Sequence, residues 1–234
     1  MAILDLTMEH WLNADRRVFQ AKRKYIEGAL NGDTGIIKGV NENNKQDIFY
    51  MLMFCLCVPQ SKAIKVEEAI EDLRKADFYT HDLSLASVTK VLEKRVRFHP
   101  TKAKRLIEAR KVFWETTFWK VLCAHFIRFK ESSSPEVVLP SIRMFLMQSI
   151  NGLGMKTSSH FMRNIGMSGL AILDVHIIDG LYKRGIIDVD KLGPSKNEYL
   201  SIEQKMKDYA VKVGISLDEL DLLLWSQKTG YVFK

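Results

Sequence analysis

Apolar residues recur at three- and four-residue steps along most of this chain, while period-two runs rich in Val, Thr and aromatics are short or absent. That periodicity excludes a sheet-based core and predicts an all-α fold. A first amphipathic helix is expected from Asn13-Ala-Asp-Arg-Arg-Val-Phe-Gln20, closed by the turn cluster Asn31-Gly-Asp-Thr-Gly35. Asp47 to Val58 is apolar on every face and reads as a core helix; Pro59 breaks it, and Ser61 to Arg74 resumes with apolar residues at Ala63, Val66, Ala69, Ile70 and Leu73. Pro100 marks a second corner, ahead of a basic helix from Thr101 to Lys111 whose cations, Lys102 among them, are expected on its solvent face. Phe113 to Phe129 fits either a helix–turn–helix or one bent helix. Glu131-Ser-Ser-Ser-Pro135 reads as a loop and as the candidate lobe hinge of a single domain spanning 1–234. Further helices are expected at Pro140 to Ile150, Lys156 to Ile165, Leu173 to Tyr182, Glu198 to Val213 and Leu217 to Trp225.

The 234 residues suffice for one large domain or two small lobes, and 47% apolar composition supplies a sizeable core. Lys and Arg total 35 against 28 Asp and Glu, a net charge of +7, which favours a polyanionic partner without identifying one. Three cysteines with no paired framework argue against a disulfide scaffold, and Cys55-Leu-Cys57 alone cannot hold zinc or an iron–sulfur cluster. No cofactor or metal is expected. The N-terminal segment lacks the basic and long apolar regions of a signal peptide, and no run reaches the ~20 apolar residues of a membrane span. The expectation is a cytoplasmic, nucleoid-associated monomer.

The segment richest in chemistry is Ser149-Ile-Asn-Gly-Leu-Gly-Met-Lys-Thr-Ser-Ser-His160. Gly152 and Gly154 allow a hairpin too tight for side chains, and such a turn presents free N–H groups and the positive end of a helix dipole to a phosphate. Taken alone, the pair also fits an ordinary helix–helix turn. Lys156 stands two residues past Gly154, where the helix dipole and basic surroundings would favour the neutral, nucleophilic amine. Eighteen residues later, Asp174 in Leu173-Asp-Val-His176 is a lone carboxylate among apolar neighbours at an expected helix start, a position that also suits a plain N-cap.

Together, Gly-Leu-Gly-Met-Lys and Leu-Asp-Val-His resemble the helix-hairpin-helix motif and trailing aspartate of the base-excision DNA glycosylases, with the lysine of their bifunctional members. The chain is more particularly similar to the short archaeal and bacterial 8-oxoguanine DNA glycosylase/AP lyases. That resemblance runs from about Asp47 onward through Phe54-Cys-Leu-Cys-Val-Pro-Gln-Ser-Lys-Ala63, Val96-Arg-Phe-His-Pro-Thr-Lys-Ala103 with Glu108-Ala-Arg110, and the closing Asp218 to Lys234 segment. It lapses in the first forty residues, in the long aromatic stretch Phe113 to Phe129, and at His99-Pro100.

The resemblance implies a two-lobed helical fold with the active-site cleft between lobes, acting on double-stranded DNA that carries a damaged base. It implies that Lys156 attacks C1′ of an extruded nucleotide, releases 8-oxoguanine through a Schiff base and cleaves the strand by β-elimination, with Asp174 stabilising positive charge on the sugar. Gln60 would fill the vacated stack, and Phe98, with Arg97 beside it, would lie against the orphaned partner base. A helix-capping Gln and a core Phe are the structural alternatives. His176 would contact a phosphate, with Asp218 as an acid able to orient it, or else be a satisfied core histidine. Trp225 would stack on the flipped base and Lys234 would shape its pocket. The lesion would be told from guanine by a backbone carbonyl accepting from N7–H, which the sequence does not identify. The rival readings are a glycosylase of this fold for another damaged or mispaired base, disfavoured where it would need a four-cysteine cluster, and a non-catalytic module that only grips DNA backbones.

Overall fold

The computed structural model describes residues 2–193 and 195–232. Among them every regular element is helical: α1 (Ala2–Gly28), α2 (Lys45–Cys57), α3 (Ala63–Lys75), α4 (Leu85–Glu93), α5 (His99–Trp114), α6 (Thr116–Glu131), α7 (Pro135–Ser149), α8 (Met155–Asn164), α9 (Val175–Lys183), α10 (Lys196–Val213) and α11 (Leu217–Thr229). The all-α expectation therefore holds. Two compact units contain them: residues 39–167, carrying α2 to α8, and residues 1–38 with 168–234, carrying α1 and α9 to α11. The loop expected as a hinge, 131–135, lies inside the first of these and joins α6 to α7, whereas the unit boundaries fall at 38/39 and 167/168.

In the 39–167 unit, α2 is the centre. Every residue from Ile48 to Cys57 is buried, which is why the segment reads as apolar all round rather than amphipathic. Phe49 collects ring contacts from Tyr50, Phe78, Tyr79 and Phe113 at centroid distances of 5.1 to 5.8 Å, so the second turn of α2 and the far end of α5 share one aromatic cluster. The aromatic stretch is two helices, not one bent helix, because the backbone leaves helical geometry at Glu115. α7 begins five residues before its expected start: Pro135 takes the first helical position, where a missing N–H costs nothing, and Pro140 is tolerated inside. α4 has no counterpart in the sequence reading; Ser84 starts it by accepting from the Ser87 N–H.

In the other unit, α1 extends well ahead of its expected start near Asn13. It packs with α10 and α11, and α11 packs with α9. Ser195 caps α10, and a reciprocal capping box of Ser216 and Glu219 starts α11. Both helices stop at a glycine, Gly214 and Gly230. A buried polar node knits this unit. The Asp15 carboxylate of α1 accepts two hydrogen bonds from the Arg184 guanidinium (2.7 and 2.6 Å), one from the Tyr209 hydroxyl (2.7 Å) and one from Gln227 (3.2 Å). Asp15 and Arg184 are 1% and 6% exposed, so the pair is sealed from water. Burial pushes the Asp15 carboxyl upward, but the Arg184 hydrogen bonds and charge, with Tyr209 and Gln227, leave it below the usual aspartate value.

Candidate functional site

The expected hairpin is present. α7 ends at Ser149, five residues turn the chain, and α8 begins at Met155. Its two glycines have different physical reasons. Gly152 has φ +98°, a region L residues rarely adopt, and a Cβ there would lie 2.7 Å from Cδ of Arg105 and 3.3 Å from Leu56. Gly154 has φ −111°, open to any residue, and nothing lies within 4 Å of where its Cβ would be. The fold thus requires glycine at 152 and makes no such demand at 154.

Gly154 is the N-cap of α8 and brings no side chain to its first N–H groups, which leaves those donors and the dipole end open. Lys156 sits in this first turn, partly exposed, and among the described residues its ammonium has no hydrogen bond or ion pair. The rest of α8 is unusual for a polar sequence: Thr157 through Asn164 are all buried. His160 lies edge-on to Phe54 (5.9 Å), Ser159 donates to the Met155 carbonyl, and the Asn164 amide lies 3.3 Å from the Met51 sulfur. A lysine at the start of a helix anchored this deeply has a fixed origin.

Asp174 does cap α9: its Oδ1 accepts from the backbone N–H of His176 (2.8 Å) and Ile177 (2.9 Å). Both cap bonds use one oxygen, so Oδ2 keeps its acceptor capacity while the cap fixes the carboxylate's orientation. His176 is half-buried and makes no side-chain hydrogen bond among the described residues. The idea that Asp218 orients it is corrected by the structure: Asp218 is buried and its Oδ2 accepts from the Gly169 N–H (2.7 Å), because the connector ahead of α9 needs partners for its backbone. Asp221 does the same for Ile172. Trp225 is half-buried on α11, with Tyr231 edge-on at 5.2 Å. α9 and α11 pack closely, since a Cβ on Gly180 would meet Leu224 at 3.7 Å. Lys234 lies outside the described residues.

The two corners at Gln60 and Phe98 share a rare backbone state. Among the described residues only Gln60 (φ 58°), Asp77 (φ 52°) and Phe98 (φ 57°) are non-glycines with positive φ. Such conformations cost roughly 1–2 kcal/mol each and gather where function uses them. Both side chains are exposed, Phe98 at 52%, so Phe98 is not a core residue. Arg97 lies over the Phe98 ring at 5.3 Å.

Lys102 was expected in solvent and is buried, 4% exposed. It takes the first place in the stripe Lys102, Leu106, Ala109, Phe113, at helical steps of four, three and four, and that spacing is the signal that could have found it. Among the described residues no cluster of three or more His, Cys, Asp or Glu could hold a metal ion, and no helix is long and apolar enough to cross a membrane.

The 8-oxoguanine DNA glycosylase family model matches residues 36–215, a span that begins just inside the first forty residues, where the resemblance was expected to lapse, and ends before the closing Asp218 to Lys234 segment. An 8-oxoguanine DNA glycosylase/AP lyase of Fusobacterium nucleatum is 35% identical over 199 residues, 84% of this chain and 87% of the relative. The crystal structure of the 8-oxoguanine DNA glycosylase of Thermotoga maritima superposes with a TM-score of 0.78 at 28% identity, covering 97% of this chain and all of that one. The Methanocaldococcus jannaschii 8-oxoguanine glycosylase/lyase, in complex with a 15mer DNA containing 8-oxoguanine, gives 0.70 at 26% identity over the whole of both chains.

Proposed function

The chain belongs to the 8-oxoguanine DNA glycosylase family, and from that membership we propose which of its residues perform the reaction. It excises 8-oxoguanine from DNA and cleaves the strand at the resulting abasic site. The observation that carries the residue assignment is the Lys156 amine, which has no hydrogen bond or ion pair among the described residues, in the uncapped first turn of α8.

Lys156 attacks C1′ of the extruded nucleotide as the neutral amine, and the glycosidic bond breaks with its electrons leaving on the base. The attached nitrogen gives up a proton as the departing base takes one, and the sugar ring then opens: the nitrogen lone pair forms the C1′=Nζ bond as the C1′–O4′ bond breaks and O4′ takes a proton from solvent, leaving a protonated Schiff base. That imine acidifies the C2′ proton, and its loss expels the 3′ phosphate by β-elimination, so one lysine serves both activities. Asp174, held by its own helix cap, stabilises the cationic sugar through the oxygen the cap does not use. The N–H groups after Gly154 take a backbone phosphate, and His176 takes another. Gln60 and Phe98, both exposed at strained corners, occupy the space the nucleotide leaves, with Arg97 supporting the ring. Trp225 provides an aromatic face for the flipped base, and the C-terminal Lys234 borders it. The enzyme acts as one catalytic domain and as a monomer, in the cytoplasm where its DNA is.

Borohydride added during incubation with an 8-oxoguanine duplex tests this. The wild type is expected to give a covalent protein–DNA adduct, and Lys156→Gln none. An adduct of equal yield in Lys156→Gln removes Lys156 from the role of nucleophile.

A further inference from the structure

A lysine ammonium sealed from water is costly unless hydrogen bonds replace its hydration. Lys102 has three. Its Nζ donates to the carbonyls of Cys57 (2.6 Å) and Pro59 (2.6 Å) and to the hydroxyl of Ser61 (3.2 Å). Those acceptors are the last residue of α2 and two residues of the corner that displays Gln60. The same Ser61 hydroxyl accepts from the backbone N–H of Arg97 (2.9 Å), and the backbone N–H of Lys102 donates to the carbonyl of Phe98 (3.0 Å). Lys102 therefore grips the Phe98 corner through its main chain and the Gln60 corner through its side chain, with Ser61 closing the loop.

We infer that Lys102 is a positioning residue that locks the Pro59-Gln60-Ser61 and Arg97-Phe98 corners into one rigid wedge during extrusion of the damaged nucleotide. This rests on the wedge roles proposed above for Gln60 and Phe98. Residues held at positive φ persist only where their surroundings over-determine them, and two of the three non-glycine examples among the described residues, Gln60 and Phe98, stand at the two corners that Lys102 joins. Burial draws the amine down to about 8, with the Cys57 thiol opposing and Arg105 adding to the shift, as expected for a desolvated cation kept for its donors. A lysine that merely capped the C-terminal carbonyls of α2 would have no need of the Ser61 to Arg97 link.

Two substrates separate positioning from structure: a duplex with 8-oxoguanine paired to cytosine, and one with 8-oxoguanine facing an abasic analogue, where no pair has to be broken. The variants are Lys102→Met, the milder Ser61→Ala, which keeps the buried lysine and two of its acceptors, and Ser61→Thr, which restores the hydroxyl. In single-turnover excision, loss of the Ser61 link should slow the paired substrate about tenfold, the scale of one buried hydrogen bond, and leave the unpaired substrate within about twofold. Lys102→Met should widen the gap and Ser61→Thr should close it. If Ser61→Ala slows both substrates equally, or neither, the inference is overturned. Gln60→Ala and Phe98→Ala serve as the reference: each should show the same selective loss, and adding Ser61→Ala to either should cost little more. Should both leave the paired-to-unpaired ratio unchanged, the wedge reading itself fails and the inference falls with it; selective loss in these two but not in Ser61→Ala or Lys102→Met rejects the inference alone.

Discussion

Alanine placed in turn at the two hairpin glycines should separate a fold requirement from a DNA requirement. At Gly152 the φ of +98° costs an L residue about 1–2 kcal/mol. The new methyl would lie 2.7 Å from Arg105 Cδ and 3.3 Å from Leu56, and forcing those side chains aside adds about 1–2 kcal/mol. A loss of about 2–4 kcal/mol lowers the melting temperature of a chain this size by about 5–15 °C. At Gly154 the backbone suits alanine and the methyl meets no atom of the protein. Reduced unfolded-state freedom stabilises by about 0.4–1 kcal/mol, and the poorer N-cap costs a similar amount, so stability should stay within about 1 kcal/mol. Its effect should fall on DNA instead. A methyl between the free N–H groups and a phosphate removes one charge-assisted contact of about 1.5–3 kcal/mol, which predicts a tenfold or greater loss of affinity. Urea denaturation and fluorescence anisotropy with an undamaged duplex measure the two quantities. If Gly154→Ala binds as tightly as the wild type, or is destabilised as much as Gly152→Ala, the proposed approach of DNA to this turn is wrong.

Asp174→Asn keeps an oxygen able to accept the two cap bonds, so stability should change by no more than about 0.5 kcal/mol while base release falls about 10²–10³-fold; near-normal release would leave Asp174 as a cap alone. Asp15→Ala strands the Arg184 guanidinium in the interior and should destabilise by about 3–5 kcal/mol in denaturant titrations, whereas a small effect would show that water reaches the node. The lowered Asp15 pKa also works through pH: its contribution is complete above the ordinary aspartate value of 3.8 and should be lost as pH falls through the lower native one, making Asp15→Ala less sensitive to acid than the wild type. Lys102 has linkage of the same sign at the alkaline end, for the opposite reason: its charged form is disfavoured by burial. With its native pKa near 8 and the unfolded value at 10.5, the unfolded chain binds more protons between those limits, so stability relative to Lys102→Met should rise with pH from 8 to 10.5; a flat difference would show that the amine is not desolvated.

The sequence by itself was enough to place the hairpin glycines, the lysine after them, the aspartate eighteen residues on, and the helical class, because each rests on chemistry local in the chain. A turn that needs positive φ selects Gly152, a helix start selects Asp174, and period decides helix against strand. Pro59 and Pro100 likewise marked both corners. What stayed hidden depends on residues far apart in the chain. Asp15 joins Arg184 across 169 residues and Tyr209 across 194, and neither partner signals the other in its own neighbourhood. Asp218 turned from a supposed partner of His176 to the Gly169 amide, since the demand of a buried backbone donor cannot be read one residue at a time. Gly154 and Gly152 look alike in sequence, and only the packed neighbours show that one serves the fold and the other leaves room outside it. Lys102 is the clearest case. Among the cations of a basic helix it carried no mark beyond its place in the apolar stripe, and what buries it is the corner at Pro59, forty-three residues away. Charge and helix face are local properties, whereas burial belongs to the assembled chain. Tertiary packing therefore decided which lysine stays partly open at a helix start as the candidate nucleophile and which one is buried between the two corners.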